Sequence, residues 1–158
     1  MLEIEDLKKI VILTYLSDEM LKRVIPIVDF LRFDEREQVF LEGEPAGRFY
    51  MLRRGKMLLE KRISENITVS VGTIKAGFSF GWSAMLDGGA YTSDAICAEP
   101  CEIFSFRREK ILPLMESDPR MGYIIFQRLL QVVKKRLDHR TEQFLKAISS
   151  HPDLRSFF

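Results

Sequence analysis

Residues 78–95, Phe78 to Ala95, read FSFGWSAMLDGGAYTSDA, and the fold is decided there. An apolar run delivers Gly81 to a short segment, Trp82 to Leu86. Asp87-Gly88-Gly89 follow, and a strand is predicted to begin near Tyr91. Strand, glycine, one helical turn, glycine turn, strand is the order of a phosphate-cradling cassette, because it leaves free backbone N–H groups at a helix N-terminus. Yet no Lys or Arg stands between Ala76 and Phe106. The cassette has the shape of an anion site without the usual charges.

Upstream, Phe30–Phe33, Gln38–Leu41, Phe49–Leu52, Lys56–Leu59 and Ile67–Val71 are short runs rich in aromatic or branched residues. Gly43, Gly47, Gly55, Asn66 and Gly72 punctuate them. Downstream, strands are predicted at Thr92–Ala98 and Cys101–Phe106. Roughly seven or eight short strands at this spacing predict a closed antiparallel architecture, a β-roll of the jelly-roll (double-stranded β-helix) type.

Helices flank the roll, so the class is mainly β with N-terminal helices and a long C-terminal helix. Leu7, Ile10 and Val11 fall at helical spacing, Ser17 offers an N-cap before Asp18-Glu19, and Pro26 closes that second helix. Arg108–Met115 is one short helix, distorted at Pro113. Asp118 and Pro119 then give a cap followed by proline at the first helical position. From Tyr123 to His151 neither Gly nor Pro interrupts, which predicts a helix of about 30 residues and about 45 Å.

With Tyr123 at position a of a heptad, the a/d positions are Tyr123, Phe126, Leu130, Val133, Leu137, Arg140, Phe144 and Ala147. Only Arg140 breaks the apolar seam. A stripe this narrow predicts pairing with a second copy of the same helix, with Phe126, Leu130, Val133, Leu137, Arg140 and Phe144 at the dimer interface.

Composition narrows the function classes. The chain has 158 residues, 46% of them hydrophobic, and a net charge of +1 from 24 basic and 23 acidic side chains. That balance gives no general attraction to nucleic acid or to an anionic membrane. No apolar run approaches the ~20 residues of a membrane span, and the acidic start MLEIEDLKK lacks the basic n-region of a secretory signal. A cytoplasmic location is expected.

Cys97 and Cys101 are the two cysteines, and on one extended strand they would lie about 13 Å apart, too far for a disulfide without a break at Pro100. With His139 and His151 the only histidines, no metal site is expected. No nucleophile–base pair stands near the cassette, and Asp87 and Asp94 sit in ordinary turn and strand-edge contexts, so no catalytic residue is assigned and an enzyme is not expected.

Together these elements resemble the cyclic nucleotide-binding domain family, the sensor half of Crp/Fnr-type regulators and of kinase regulatory subunits. Leu16-Ser17-Asp18-Glu19-Met20-Leu21 is similar to its entry helix. Val39-Phe40-Leu41-Glu42-Gly43-Glu44-Pro45-Ala46, continuing through Arg48-Phe49-Tyr50-Met51-Leu52-Arg53-Arg54-Gly55, resembles its most recognisable hairpin. Ala76-Gly77 through Phe80-Gly81 matches the approach to the cassette, and Pro100-Cys101-Glu102-Ile103 the strand that leads to the C-terminal helices. The resemblance implies one domain over residues 1–148, with N-terminal helices at 1–29, the β-roll at 30–107 and C-terminal helices at 108–148. Residues 149–158 form a short tail. The helix-turn-helix domain of Crp/Fnr-type regulators is not expected, and with it no direct DNA binding.

The resemblance also implies a ligand site at Phe80, Gly81, Trp82, Ser83, Ala84, Tyr91, Thr92 and Ser93. In the family the cassette glycine is followed by Glu, which holds the ribose hydroxyl, and further on by an Arg that pairs with the cyclic phosphate, then two small residues. Here Gly81 is kept, Trp82 stands in place of the Glu, Tyr91 in place of the Arg, and Thr92 and Ser93 match the small residues. Losing a charge-assisted pair of that kind costs ~1.5–3 kcal/mol, roughly tenfold to over a hundredfold in affinity. A substitute cation would have to come from Lys61, Arg62, Lys75, Arg136 or Arg140.

Three readings stay open. One is a sensor whose pocket takes a less charged ligand, with Trp82 and Tyr91 in its wall. Another is a degenerate dimeric interaction module in which those two residues fill the old pocket. The last is retained binding of cyclic AMP or cyclic GMP through other contacts. Regulation of transcription through a separate DNA-binding partner is the alternative output, and the downstream protein partner is not readable from the residues.

Overall fold

The N-terminal segment folds as a single turn, α1 (Ile4–Leu7), a 3-10 turn at Val11–Leu13, and α2 (Asp18–Val24). In the computed structural model, which describes residues Met1–Phe158, the Ser17 hydroxyl accepts the Met20 N–H at 3.2 Å and caps α2 as the sequence predicts. Pro26 lies in a 3-10 turn, Ile25–Ile27, that ends the helical entry.

Eight strands follow: β1 (Val28–Phe33), β2 (Gln38–Phe40), β3 (Arg48–Arg54), β4 (Lys56–Ser64), β5 (Ile67–Lys75), β6 (Ser79–Phe80), β7 (Asp94–Cys97) and β8 (Cys101–Arg107). They form two four-stranded antiparallel sheets, ordered β1-β8-β3-β6 and β2-β7-β4-β5. This is the β-roll the strand spacing implies. Phe40, Phe49, Met51, Met57, Ile74, Phe80, Ile103, Phe104 and Phe106 of the strands are all buried, with Phe40, Tyr50 and Phe80 in one aromatic group and Phe49 against Phe106 in another. The alternation is incomplete on β3, where Phe49 to Leu52 are buried in succession, so that strand is covered on both faces.

Two predicted boundaries move. The strand expected near Tyr91 begins at Asp94, because the backbone of Tyr91 pairs with a turn rather than a strand: its N–H donates to the Glu44 carbonyl at 3.0 Å and its carbonyl accepts the Gly43 N–H at 2.8 Å. The chain also breaks between the cysteines. Cys97 ends β7 in one sheet and Cys101 opens β8 in the other, so their thiols meet instead of lying a strand length apart. Both are free and buried, with the Cys101 thiol donating to the Glu99 carbonyl at 3.2 Å.

α3 (Arg108–Ser117) contains Pro113, and α4 (Pro119–Ser149) runs 31 residues. The Asp118 carboxylate accepts the Met121 N–H at 3.2 Å, which is the cap the Asp-Pro pair announces. Residues Met1–Ile124 and Ile125–Phe158 form two compact units. The second consists of the rest of α4 and a terminal 3-10 turn, Arg155–Phe157. No helix is long and apolar enough to cross a membrane.

Candidate functional site

Gly81 is the pivot of the cassette. Its φ of +76° is open to glycine, and a side chain there would meet the Tyr50 ring at 2.9 Å and the Arg48 carbonyl oxygen at 3.3 Å. β6 delivers Phe80 fully buried, and the chain then turns into a 3-10 helix, Trp82–Met85. The Ala84 side chain is buried, while Trp82 and Ser83 are half-buried. The turn returns through Gly88 and Gly89, where a methyl group on Gly89 would collide with the Ser83 carbonyl oxygen. Both glycines are therefore used, one for its φ of +63° and the other for close approach.

Tyr91 re-enters the roll and is 5% exposed. Its ring stacks on Phe40 at 3.8 Å between centroids, nearly parallel at 12°. Tyr50 and Phe80 complete the cluster, stacked on each other at 5.2 Å. The Tyr91 hydroxyl donates to the Arg48 carbonyl at 2.6 Å and accepts the Arg48 N–H at 3.1 Å, so β3 holds the phenol from both sides. Burial raises the Tyr91 phenol above its ordinary value. Burial and then Tyr91 itself push Tyr50 up further, which keeps both rings neutral.

Of the remaining expected ligand residues, Thr92 is exposed and Ser93 buried. The two therefore do not present their hydroxyls together. The backbone N–H of Ala84 is taken by the Gly81 carbonyl at 3.2 Å.

One cation reaches the cassette from outside the span Ala76 to Phe106. Arg108, the first residue of α3, reaches back to it: the guanidinium donates to the Ala84 carbonyl at 2.7 Å, to the Leu86 carbonyl, and to the Asp87 carboxylate at 2.8 Å. It thereby caps the C-terminal end of the 3-10 helix. Arg48 pairs with Asp29 at 2.9 Å, and Arg107 joins the same carboxylate at 3.3 Å. Of the cations named from sequence, Lys61 pairs with Glu42 at 3.2 Å, and Arg62 donates to the Ser64 and Glu65 carbonyls. Arg108 has no motif around it. Only its position immediately after the last strand, where β8 ends beside the cassette, could have drawn attention to it.

A family model, the cyclic nucleotide-binding domain, matches residues 30–118, from β1 to the end of α3. The chain belongs to the cyclic nucleotide-binding domain family. Among solved structures, a cyclic nucleotide-binding domain from Methylobacillus flagellatus KT superposes with a TM-score of 0.79 at 19% identity, covering 94% of this chain and 84% of that one. A candidate cyclic nucleotide-binding protein from Geobacter metallireducens GS-15 gives 0.76 at 23% identity, over 87% of this chain and 99% of that one. A curated relative, the global nitrogen regulator of Nostoc sp. PCC 7120, is 23% identical over 135 residues, which is 83% of this chain. This chain spans 56% of the length of that regulator.

Within the family frame the aromatic cluster takes on meaning. Tyr91 stands where the resemblance puts the phosphate-binding Arg, and its side chain is folded inward onto β3.

The seam residues of α4 are largely in solvent. Tyr123, Leu130, Leu137 and Phe144 are each more than 60% exposed, and Phe126 is 38% exposed. Val133 is half-buried and Arg140 exposed. Flanking the seam, Lys134 pairs with Asp138 at 2.8 Å, an i,i+4 pair of the kind that supports a solvated helix face.

Proposed function

We propose that this chain is a regulatory domain that acts as a homodimer through α4 and whose cassette has lost high-affinity recognition of cyclic nucleotides. The observation that carries the reading is the doubly bonded Tyr91 hydroxyl on Arg48, with the ring stacked on Phe40. A neutral, buried phenol cannot neutralise a cyclic phosphate, and swinging it out would break two hydrogen bonds and a ring stack. Of the three readings open in sequence, this favours the filled pocket.

Dimerisation rests on the exposed apolar stripe. Four large apolar side chains at a positions, Tyr123, Leu130, Leu137 and Phe144, are left in solvent by the single chain. A row of that kind on one helix is the seam a parallel coiled coil buries. The domain is non-enzymatic in this reading and passes its state to a protein partner. Titration of the chain with cyclic AMP and cyclic GMP tests the cassette, and light scattering of the Leu130→Asp/Leu137→Asp variant tests the seam.

A further inference from the structure

Sheet edges expose unpaired N–H and C=O groups, and folded proteins blunt them by brevity, charge or proline. Three of the four edges here follow that rule. β2 is three residues long, β6 is two, and β1 carries Asp29 and Arg32. β5 does not. It is nine residues long, and from Asn66 to Ile74 no residue is charged. Ile67, Thr68, Val69, Val71, Thr73 and Ile74 are all β-branched, the residue type that suits a paired strand.

Every residue from 61 to 70 is exposed, and Ile63, Ile67 and Val69 leave 67%, 55% and 39% of their surface in solvent. The strand pairs on one side only, with β4, and register shifts at Ile63 and Val71 are its one concession to an edge.

We propose that β5 is a second self-association surface, pairing antiparallel with β5 of another copy of this chain. The occupant and the register follow from charge. Centred on Ser70, the pair runs from Ile67 to Thr73 and brings the β4–β5 turn that carries Glu65 of each copy to the Lys75 end of the other strand, so two reciprocal ion pairs close the two ends. Between them Val69 faces Val71, Ile67 faces Thr73, and no charge meets a like charge. A one-residue slip separates both ion pairs and moves each side chain relative to its partner face. Joined in this way, β2-β7-β4-β5 of two copies becomes one continuous eight-stranded sheet, twice the four strands of each.

The test distinguishes this surface from the α4 seam. In the Leu130→Asp/Leu137→Asp background, sedimentation across a concentration series is expected to show a residual monomer–dimer equilibrium. Adding Val69→Lys and Val71→Lys sets lysine against lysine and should weaken that dimer about tenfold or more. In the otherwise unaltered chain, Ser70→Cys should give a covalent dimer under mild oxidation and Thr68→Cys should not, the native Cys97 and Cys101 being buried. A residual dimer indifferent to the two lysines, a monomer at every concentration, or equal cross-linking from positions 68 and 70 would overturn the proposal. Loss of the α4 dimer alone would not bear on it.

Discussion

The Tyr91 hydroxyl and the Arg48 backbone form a closed pair: the phenol donates to the carbonyl at 2.6 Å and accepts the N–H at 3.1 Å. This joins the strand-entry end of the cassette to β3 across 43 residues of chain. It also uses the side chain that the family resemblance puts in the ligand site. Tyr91→Phe keeps the stack on Phe40 and removes both hydrogen bonds, leaving two backbone groups short of a partner. A loss of about 1–3 kcal/mol is expected, read from the urea midpoint at unchanged slope.

The two turn glycines should respond differently to the same methyl group. Gly88 has φ +63° with nothing within 4 Å of an added Cβ, so Gly88→Ala should cost only the left-handed backbone, about 1–2 kcal/mol. On Gly89 the added methyl runs into the Ser83 carbonyl oxygen, and the backbone has to move. Gly89→Ala should therefore destabilise more than Gly88→Ala in parallel thermal melts.

Arg108 holds two carbonyls and one carboxylate at the end of the 3-10 helix. Arg108→Gln should speed amide exchange from Trp82 to Gly89 while leaving the centre of β8 protected. Arg108→Lys should not restore protection, because a single ammonium cannot span acceptors that the planar guanidinium reaches together. Asp87→Asn, which spares the carbonyl contacts, should have a smaller effect.

Stability should fall at alkaline pH with a contribution from Cys97. Burial, and then the neighbouring Cys101, push the Cys97 thiol from 9.0 up to about 12. A group raised in the folded state stabilises fully below its unfolded value, and that stability is lost as pH rises through the folded value. The loss therefore runs from about pH 9 to about pH 12. Urea midpoints measured across that range should decline less steeply for Cys97→Ala than for the parent chain. The raised Tyr50 and Tyr91 phenols add loss of the same sign that the variant retains.

Much of the fold was legible because its signals are local. Ser17 and Asp118 cap their helices where the side-chain pattern says, and glycines mark the strand ends. What was not legible depends on chain reversal. The break at Ala98-Glu99-Pro100 sends Cys97 and Cys101 into different sheets, and no periodicity reports which sheet a strand joins. Arg108 escaped for a similar reason: it lies outside the cassette in sequence and returns to it only because β8 ends there. Tyr91 was visible as a departure from the family pattern. That its hydroxyl is consumed by the Arg48 backbone required the register of β3 against the Gly43–Glu44 turn.

The central claim, that Tyr91 fills the place of a phosphate partner, is tested most directly by isothermal titration of the purified chain with cyclic AMP and cyclic GMP. The account predicts no saturable binding of either in the micromolar range or below, after loss of a charge-assisted pair of ~1.5–3 kcal/mol and of the ribose acceptor. Sub-micromolar binding of either nucleotide would contradict it.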